Sequence, residues 1–172
     1  MREMFRFGFI LGIICIVAGG LLAGVNSLTK PRIFAQAQAE ERLGLKEVLP
    51  DADRFEAVEE KEEIIYYKGH NKDGKFIGAA FKAVGKGYSS TIETLVGMLK
   101  DGTIVAIKVL SQNETPGLGA RVAEPEFTAQ FNNIRDLSKV QAITGATISS
   151  RAVIELVKKR AEEIRGLIKN EK

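Results

Sequence analysis

The chain has few of the residues from which metal and thiol sites are built. Its 172 residues include one cysteine, one histidine and no tryptophan. The single cysteine, Cys15, excludes an intramolecular disulfide. It lies within the apolar run near the N-terminus, so the rest of the chain has no thiol for an iron–sulfur cluster, a thiolate metal cluster or a cysteine nucleophile. His70 lies beside a predicted turn without other ligand-type residues, so we expect a solvated side chain and no metal site.

Neither sign of charge dominates the sequence. The 25 basic and 22 acidic residues give a net charge of +3, and the two signs are mixed along the chain. Nucleic-acid binding therefore has no basic patch to support it. The sequence also lacks a G-x-G-x-x-G dinucleotide loop, a C-x-x-C-H haem motif and an acid–base constellation. These absences remove most of the common classes of redox and hydrolytic active site.

One long apolar run lies near the N-terminus. Residues 7–25 contain no charged side chain and are rich in Ile, Leu, Val, Phe, Gly and Ala. As an α-helix this run spans about 28 Å, close to the hydrocarbon thickness of a bilayer. A cleaved signal peptide is the alternative, but the run is long for one and residues 23–25 are a poor cleavage site. We therefore predict a single uncleaved transmembrane anchor over residues 1–30.

Charge does not orient this anchor. Arg2 and Arg6 flank one end while Lys30 and Arg32 flank the other, so the positive-inside rule barely discriminates between the two orientations. Residues 31–53 are predicted to connect the anchor to the rest of the chain, mostly as a helix that stops at Pro50. Residues 54–172 then suit one domain with a core of its own.

Short extended segments open this domain. Residue type and turn signals predict strands at residues 55–58, 63–68, 76–84, 93–99 and 104–110. The sequence NKDG at 71–74 predicts one hairpin turn, and KDG at 100–102 predicts another. The second hairpin has no clean polar face, so we expect both of its faces to be covered. The predicted fold class is α+β, with one N-terminal transmembrane helix followed by a mixed domain of short antiparallel strands and helices.

A glycine-bearing segment at residues 143–151 leads into the last predicted helix. The apolar residues of that helix recur at helical spacing and are Val153, Ile154, Val157, Ala161, Ile164 and Ile168. Gly145 allows a tight turn, and the hydroxyls of Thr147, Ser149 and Ser150 stand where capping groups or anion contacts belong. The free amides and the dipole of a helix start favour a phosphate. An ordinary Ser/Thr cap explains the same residues, so both interpretations stay open.

Two further glycine-bearing loops flank the second hairpin, GKGYSSTI at 85–92 and NETPGLGAR at 113–121. Each is typical of a turn when taken alone. Taken in order with the Asp-Gly turn and the TGAT sequence at 144–147, they resemble the recurring segments of one flavin-binding family. That family is the FMN-binding domain shared by the G subunit of Rnf electron-transport complexes and the C subunit of sodium-pumping NADH:quinone reductases. The resemblance covers residues 85–153 and the layout of an anchor followed by a domain.

The resemblance implies a set of flavin-binding residues. In the family the last threonine of S/T-G-A-T carries FMN through a phosphoester bond, which implies Thr147 here. The Pro-Gly-Leu-Gly loop of the family lies against the flavin rings, which implies a close backbone at Gly117 and Gly119 and an apolar surface at Leu118. The implied binding residues are Thr144, Gly145, Ala146, Thr147, Ser149, Ser150, Glu114, Thr115, Gly117, Leu118 and Gly119. No catalytic residue and no metal ligand are implied.

One position departs from the family pattern. The family usually has Asp six residues before the modified threonine, and this chain has Gln141 there. That acid belongs to the segment read by the flavin transferase. The substitution therefore bears on how efficiently Thr147 is modified.

By resemblance, the chain is an electron carrier with covalent FMN and no substrate turnover of its own. The implied partners are the flavin transferase and the other subunits of an Rnf-type complex, which couples electron transfer between ferredoxin and NAD to ion movement. The implied location is the cell (inner) membrane, with the soluble domain outside the cytoplasm. Three alternatives stay open: the C subunit of a sodium-pumping quinone reductase, a membrane-anchored sensor or binding module without covalent flavin, and a freestanding flavin reductase.

Overall fold

A computed structural model describes residues 2–60 and 63–169 of the chain. The chain divides into two compact units, residues 1–40 and residues 41–172. The division falls within the first helix, α1, which extends over Arg2–Val48 and has Pro31 inside it. The predicted anchor and the predicted connecting helix are thus parts of one helix.

The first unit exposes its apolar side chains. Large hydrophobic residues from Met4 to Phe34 are exposed, among them Phe5 at 80% and Ile16 at 76%. In the described part of the chain, α1 is the only helix long and apolar enough to cross a membrane. The predicted span over residues 7–25 lies inside it.

The second unit is organised around a five-stranded antiparallel sheet. Its strands are β1 (Arg54–Glu60), β2 (Glu63–His70), β3 (Phe76–Lys86), β4 (Thr91–Leu99) and β5 (Ile104–Ser111). Each strand pairs with the next along the chain, so the sheet order is the sequence order. All five predicted strands are confirmed. Both predicted turns are confirmed as well, with Gly74 at φ 74° and Gly102 at φ 89°, a conformation that favours glycine.

Both faces of the sheet carry a core. One face packs against the last helix, α3 (Thr147–Ile168), whose buried residues include Val153, Val157 and Ile164. On the other face Leu45 and Val48, at the end of α1, pack with Ala80 and Leu95. The apolar stripe predicted for the last helix is therefore confirmed. It holds the start of α3 at a fixed place beside the sheet.

The expectation that both faces of the second hairpin are covered holds fully for β4 and in part for β5. Residues 94–98 of β4 are all buried. In β5 only Ile104 and Ile107 are buried, and the other residues are half-buried or exposed. Val109 of β5 packs against the core under α3, and Leu110 packs against the core at the end of α1, so both faces of this strand are covered in part.

Four short helical turns connect β5 to α3, and none was predicted from the sequence. They are a 3-10 turn at Gly119–Ala123, the helix α2 at Pro125–Thr128, and 3-10 turns at Ala129–Phe131 and Leu137–Lys139. Their residues Val122, Phe127 and Phe131 are almost fully buried in the core under α3. Single turns are too short to show helical periodicity in a sequence, which explains why they were missed.

Candidate functional site

Three loops meet at the start of α3 and form a cavity of about 420 Å³. They are the loop before β4, the loop after β5 and the turn into α3. The lining residues are Tyr88, Glu114, Thr115, Leu118, Gly119, Gly145, Thr147, Ile148 and Ser149. A larger cavity of about 640 Å³ lies between β2, β3 and α3. It contains none of the predicted binding residues, so we regard the cavity at the start of α3 as the candidate site.

Glu114 is the buried centre of this site, with only 5% of its surface exposed. Its Oε1 accepts hydrogen bonds from the amides of Ser89 (3.1 Å) and Ser90 (2.8 Å) and from the Ser90 hydroxyl (2.9 Å). Its Oε2 accepts from the Tyr88 amide (3.2 Å) and from the Ser149 hydroxyl (2.6 Å). One carboxylate therefore ties together all three loops of the cavity.

These hydrogen bonds also set the charge state of Glu114. Burial by itself would raise the pKa of the carboxyl group, because the charged form loses hydration. Donors on Ser149, Ser90 and Ser89 outweigh burial and lower the pKa of Glu114 to about 2. At neutral pH the residue is thus a fixed anion held by uncharged donors, and it has no proton to give.

Two glycines leave room for this carboxylate. A Cβ atom on Gly87 would lie 2.6 Å from Glu114 Oε1. A Cβ atom on Gly119 would lie 2.7 Å from Glu114 Oε2 and from Ser149 Oγ. Gly117 and Gly145 are required for another reason, since their φ angles of 74° and 82° disfavour any side chain.

Three apolar side chains surround the cavity in contact with solvent. Tyr88 is 64% exposed, Leu118 is 50% exposed and Ile148 is 59% exposed. Pockets for organic ligands are lined mainly by apolar and aromatic side chains with a few polar groups, and this cavity has both. The arrangement suits an organic ligand with an apolar part.

Thr147 is the first residue of α3, and it is exposed. Within residues 2–60 and 63–169 its hydroxyl group makes no hydrogen bond. In α3 the first hydrogen bond of the helix is the one that the Ser150 amide donates to the Ala146 carbonyl. The amides that precede it in the first turn have no partner inside the helix. A free hydroxyl beside free amides is an arrangement that can hold a phosphate ester.

The two serines that follow do not cap the helix. The Ser149 hydroxyl donates to Glu114. The Ser150 hydroxyl donates to the Ala146 carbonyl (2.8 Å) and accepts from the Ile143 amide (3.1 Å), so it closes the turn that precedes α3. Both hydroxyls are thus engaged within the chain.

The structure brings most, but not all, of the sequence-predicted binding residues to the cavity. Those that line it are Glu114, Thr115, Leu118, Gly119, Gly145, Thr147 and Ser149. Ala146 and Ser150 are buried behind the turn, and Gly117 lies in the loop without lining the cavity. Thr144 lines a separate recess of about 250 Å³.

Two cavity residues were missed by sequence reasoning. Tyr88 stands in a loop that was singled out, but its side chain was not assigned to the site. Ile148 falls outside the apolar stripe of the last helix, and this displaced apolar residue was a usable signal.

Two protein-family models match the chain. The family model for the FMN-binding domain matches residues 87–162, which include every residue that lines the cavity. The model for the RnfG N-terminal region matches residues 1–48. The G subunit of the proton-translocating ferredoxin:NAD(+) oxidoreductase complex of Clostridium ljungdahlii is 36% identical over 166 residues, covering 90% of this chain and 88% of the relative. The chain belongs to the family of Rnf complex G subunits.

A second member of this family shows a similar degree of likeness. The G subunit of the Na(+)-translocating ferredoxin:NAD(+) oxidoreductase complex of Acetobacterium woodii is 31% identical over 180 residues, covering 88% of this chain and 87% of the relative. The family models and these two relatives confirm the resemblance inferred from the four sequence segments. Among solved structures, the C subunit of the Na(+)-translocating NADH-quinone reductase from Parabacteroides distasonis has a TM-score of 0.49 and 23% identity, covering 59% of this chain and 61% of that one.

Proposed function

We propose that this chain is the flavin-carrying subunit of a membrane-bound Rnf-type complex, with FMN attached covalently to Thr147. The complex would transfer electrons between ferredoxin and NAD and couple that transfer to ion movement. The observation that carries the proposal is the exposed Thr147 hydroxyl, which has no hydrogen-bond partner in the described chain and lies at the edge of the cavity.

The residues of the cavity fit this cofactor. Free amides in the first turn of α3 would receive the phosphate. Leu118, Ile148 and Tyr88 would contact the ring system with their exposed apolar surfaces. When bound, FMN would supply reversible one- and two-electron redox chemistry, while the protein sets its surroundings.

Attachment needs an activated flavin phosphate, because a simple condensation with a hydroxyl group is opposed by water. We infer that the donor is FAD and that a separate flavin transferase acts on it. Thr147 Oγ would bond to the phosphorus of the FMN half, the phosphorus–oxygen bond to AMP would break, and the hydroxyl proton would be lost. No electron is transferred in this step.

The chain's own groups suit a relay better than an enzyme that works alone. Glu114 is the buried carboxylate of the cavity, and its pKa of about 2 leaves it without a proton at neutral pH. Its hydrogen bonds hold the loops in place. The sequence has no G-x-G-x-x-G dinucleotide loop, so we expect no NADH oxidation by the purified chain, and turnover only in the assembled complex.

The arrangement of the anchor, the connecting residues and the domain is also part of this proposal. Residues 1–30 would anchor the chain in the cell membrane by a single pass, and residues 31–53 would connect this anchor to the domain. Residues 54–172 would form the FMN-binding domain outside the cytoplasm. The exposed apolar side chains of α1 support the anchor.

Mass spectrometry tests the attachment directly. The chain purified from cells that contain the flavin transferase should be heavier than its sequence by one FMN less one water, and the adduct should map to Thr147. Thr147→Val keeps the shape of the side chain but removes the hydroxyl, and it should lose both the mass and the yellow colour. Thr91→Val, at another exposed threonine, is the matched control and should keep both.

Other outcomes would favour the alternatives. An unmodified chain from its native host would favour the sensor or binding module without covalent flavin. NADH oxidation by the isolated flavin-loaded chain would favour a freestanding reductase. Affinity purification through a tag on this chain should recover ferredoxin:NAD oxidoreductase activity, whereas NADH:quinone reductase activity would favour the quinone-reductase alternative.

Labelling with a membrane-impermeant maleimide tests the orientation. In a Cys15→Ala background, a cysteine replacing the exposed Asn132 should react in intact cells. A cysteine replacing Glu3 should react only after the cells are permeabilised. The opposite pattern would put the domain in the cytoplasm.

A further inference from the structure

The Gln130 side chain is hydrogen-bonded to the backbone of the segment that precedes the predicted attachment site. The Gln141 amide donates to Gln130 Oε1 at 2.8 Å, and Gln130 Nε2 donates to the Gln141 carbonyl at 3.3 Å. The primary amide of one residue thus bonds both backbone groups of the other, as a neighbouring strand would. The side chain of Gln141 is exposed.

Gln130 is itself firmly placed. It lies in the 3-10 turn Ala129–Phe131, between Phe127 and Phe131, which are 1% and 0% exposed. The rings of these two phenylalanines meet edge to face with centroids 5.4 Å apart. The core therefore fixes the backbone from which the Gln130 side chain reaches out.

The segment from Val140 to Ala146 has few other restraints. It belongs to no helix or strand. At one end of the segment the Val140 amide donates to the Leu137 carbonyl, and further along the Ile143 amide donates to the Ser150 hydroxyl. In the described chain, the two bonds to Gln130 are the only ones made by the backbone between these points.

We propose that Gln130 is a positioning residue for the attachment of FMN to Thr147. This inference rests on the proposed function. By bonding the backbone of Gln141, Gln130 would keep the segment extended and the side chains of Gln141 and Thr144 exposed, next to the recess of about 250 Å³ that these three residues help to line. A flavin transferase would then bind a segment that is already ordered, and would not have to order it on binding.

The covalent step is the one given above. Thr147 Oγ replaces AMP on the phosphorus of the FMN half of FAD, and the hydroxyl proton is released. Gln130 takes no part in that exchange of bonds. Its loss should therefore weaken recognition of the segment, seen in KM, and leave kcat almost unchanged.

The experiment uses the full-length chain in detergent, made flavin-free in cells without the transferase. Purified transferase and FAD are added, and intact mass records the modified fraction with time at several chain concentrations. Gln130→Met keeps the side-chain length but removes both hydrogen bonds, so KM should rise roughly tenfold, as expected when about one residue must be ordered on binding. Gln130→Glu keeps the acceptor for the Gln141 amide and should rescue part of the loss.

A matched control separates positioning from local loosening. Thr128→Val removes a hydroxyl that donates to the Glu124 carbonyl, close to Gln130 in the chain. It leaves both bonds to Gln141 in place, so KM should not change. Hydrogen exchange should show faster exchange of the Gln141 amide in Gln130→Met, with β4 and α3 as protected as in the wild type.

Each outcome bears on a different claim. If the wild-type chain is not modified at all, the proposed function fails and this inference fails with it. If the wild type is modified and Gln130→Met has the same KM, only the role of Gln130 is overturned. A fall in kcat at constant KM, or an equal loss in Thr128→Val, would overturn it as well.

Discussion

At the start of α3 the floor of the cavity is polar and buried, whereas its rim is apolar and exposed. The floor consists of Glu114 and Ser149, at 5% and 2% exposure, and the rim consists of Tyr88, Leu118 and Ile148. Every donor to the floor carboxylate comes from this chain. The side chains of the rim make no hydrogen bond in the described chain, although the Tyr88 amide donates to Glu114. The floor therefore holds the loops together, and the rim side chains are left exposed.

The largest effect on the stability of the chain is expected from substitution of Glu114, the carboxylate at the floor of the cavity. Glu114→Gln leaves one acceptor oxygen where two served five donors, so backbone amides and a serine hydroxyl lose their partners. We expect the free energy of unfolding of the flavin-free chain to fall by about 3 kcal/mol, measured by urea denaturation in detergent. Glu124→Gln, at a half-exposed ion pair with Arg121, should change it by less than about 0.5 kcal/mol. Equal effects would show that the buried Glu114 carboxylate stabilises the chain no more than a surface carboxylate does.

Protonation of Glu114 at low pH should reversibly destabilise the floor of the cavity. The pKa of Glu114 is about 2 in the folded chain, below its ordinary value of 4.5, so the unfolded chain takes up the proton first as pH falls. The stability due to this carboxylate is therefore complete above pH 4.5 and lost progressively towards pH 2. Thermal unfolding across this range should show a decline in the wild type that Glu114→Gln lacks. Parallel curves would show that the decline has another source.

Gly119 and Gly117 lie in the same loop, but their substitution should differ in its effect on stability. Gly119→Ala places a methyl group 2.7 Å from the floor carboxylate, and overpacking of this kind costs about 2 kcal/mol. Gly117→Ala meets no atom within 4 Å, so only its φ of 74° opposes the change, at about 1 kcal/mol. Denaturation of both flavin-free variants measures the difference. The reverse order would place the tight packing elsewhere in the loop.

The smallest effect on stability is expected at the rim. Leu118→Ala should change the free energy of unfolding of the flavin-free chain by less than about 0.5 kcal/mol. In the flavin-loaded chain it should expose the ring, so that iodide quenches flavin fluorescence more strongly. Leu167→Ala removes another half-exposed leucine, distant in sequence, and should alter neither property. A large loss of stability in Leu118→Ala would show that the Leu118 side chain stabilises the fold of the flavin-free chain.

Much of the fold could be predicted because its signals are local. Residue preference and turn chemistry predicted all five strands, and the apolar stripe from Val153 to Ile168 predicted α3. The short turns that carry Phe127 and Phe131 left no periodic pattern, although these residues complete the core.

The site could be predicted only as separate loops. Sequence order singled out the loops of Glu114 and Thr147, but no local pattern shows that a carboxylate is buried. The Ser90 and Ser149 donors lie 24 and 35 residues from Glu114 in the chain. Such hydrogen bonds depend on how the loops come together in three dimensions, as does the bracing of Gln141 by Gln130.

The order of the strands has a consequence for biogenesis. Because each strand pairs with its immediate predecessor, the sheet is built from contacts that are short in sequence, and such contacts form early and fast. The carboxylate at the centre of the site gathers donors from before β4 and from α3, so the cavity is complete only after the last helix has docked. Because α3 also completes one of the two cores of the sheet, we expect a chain that stops before α3 to lack both a stable sheet and the cavity.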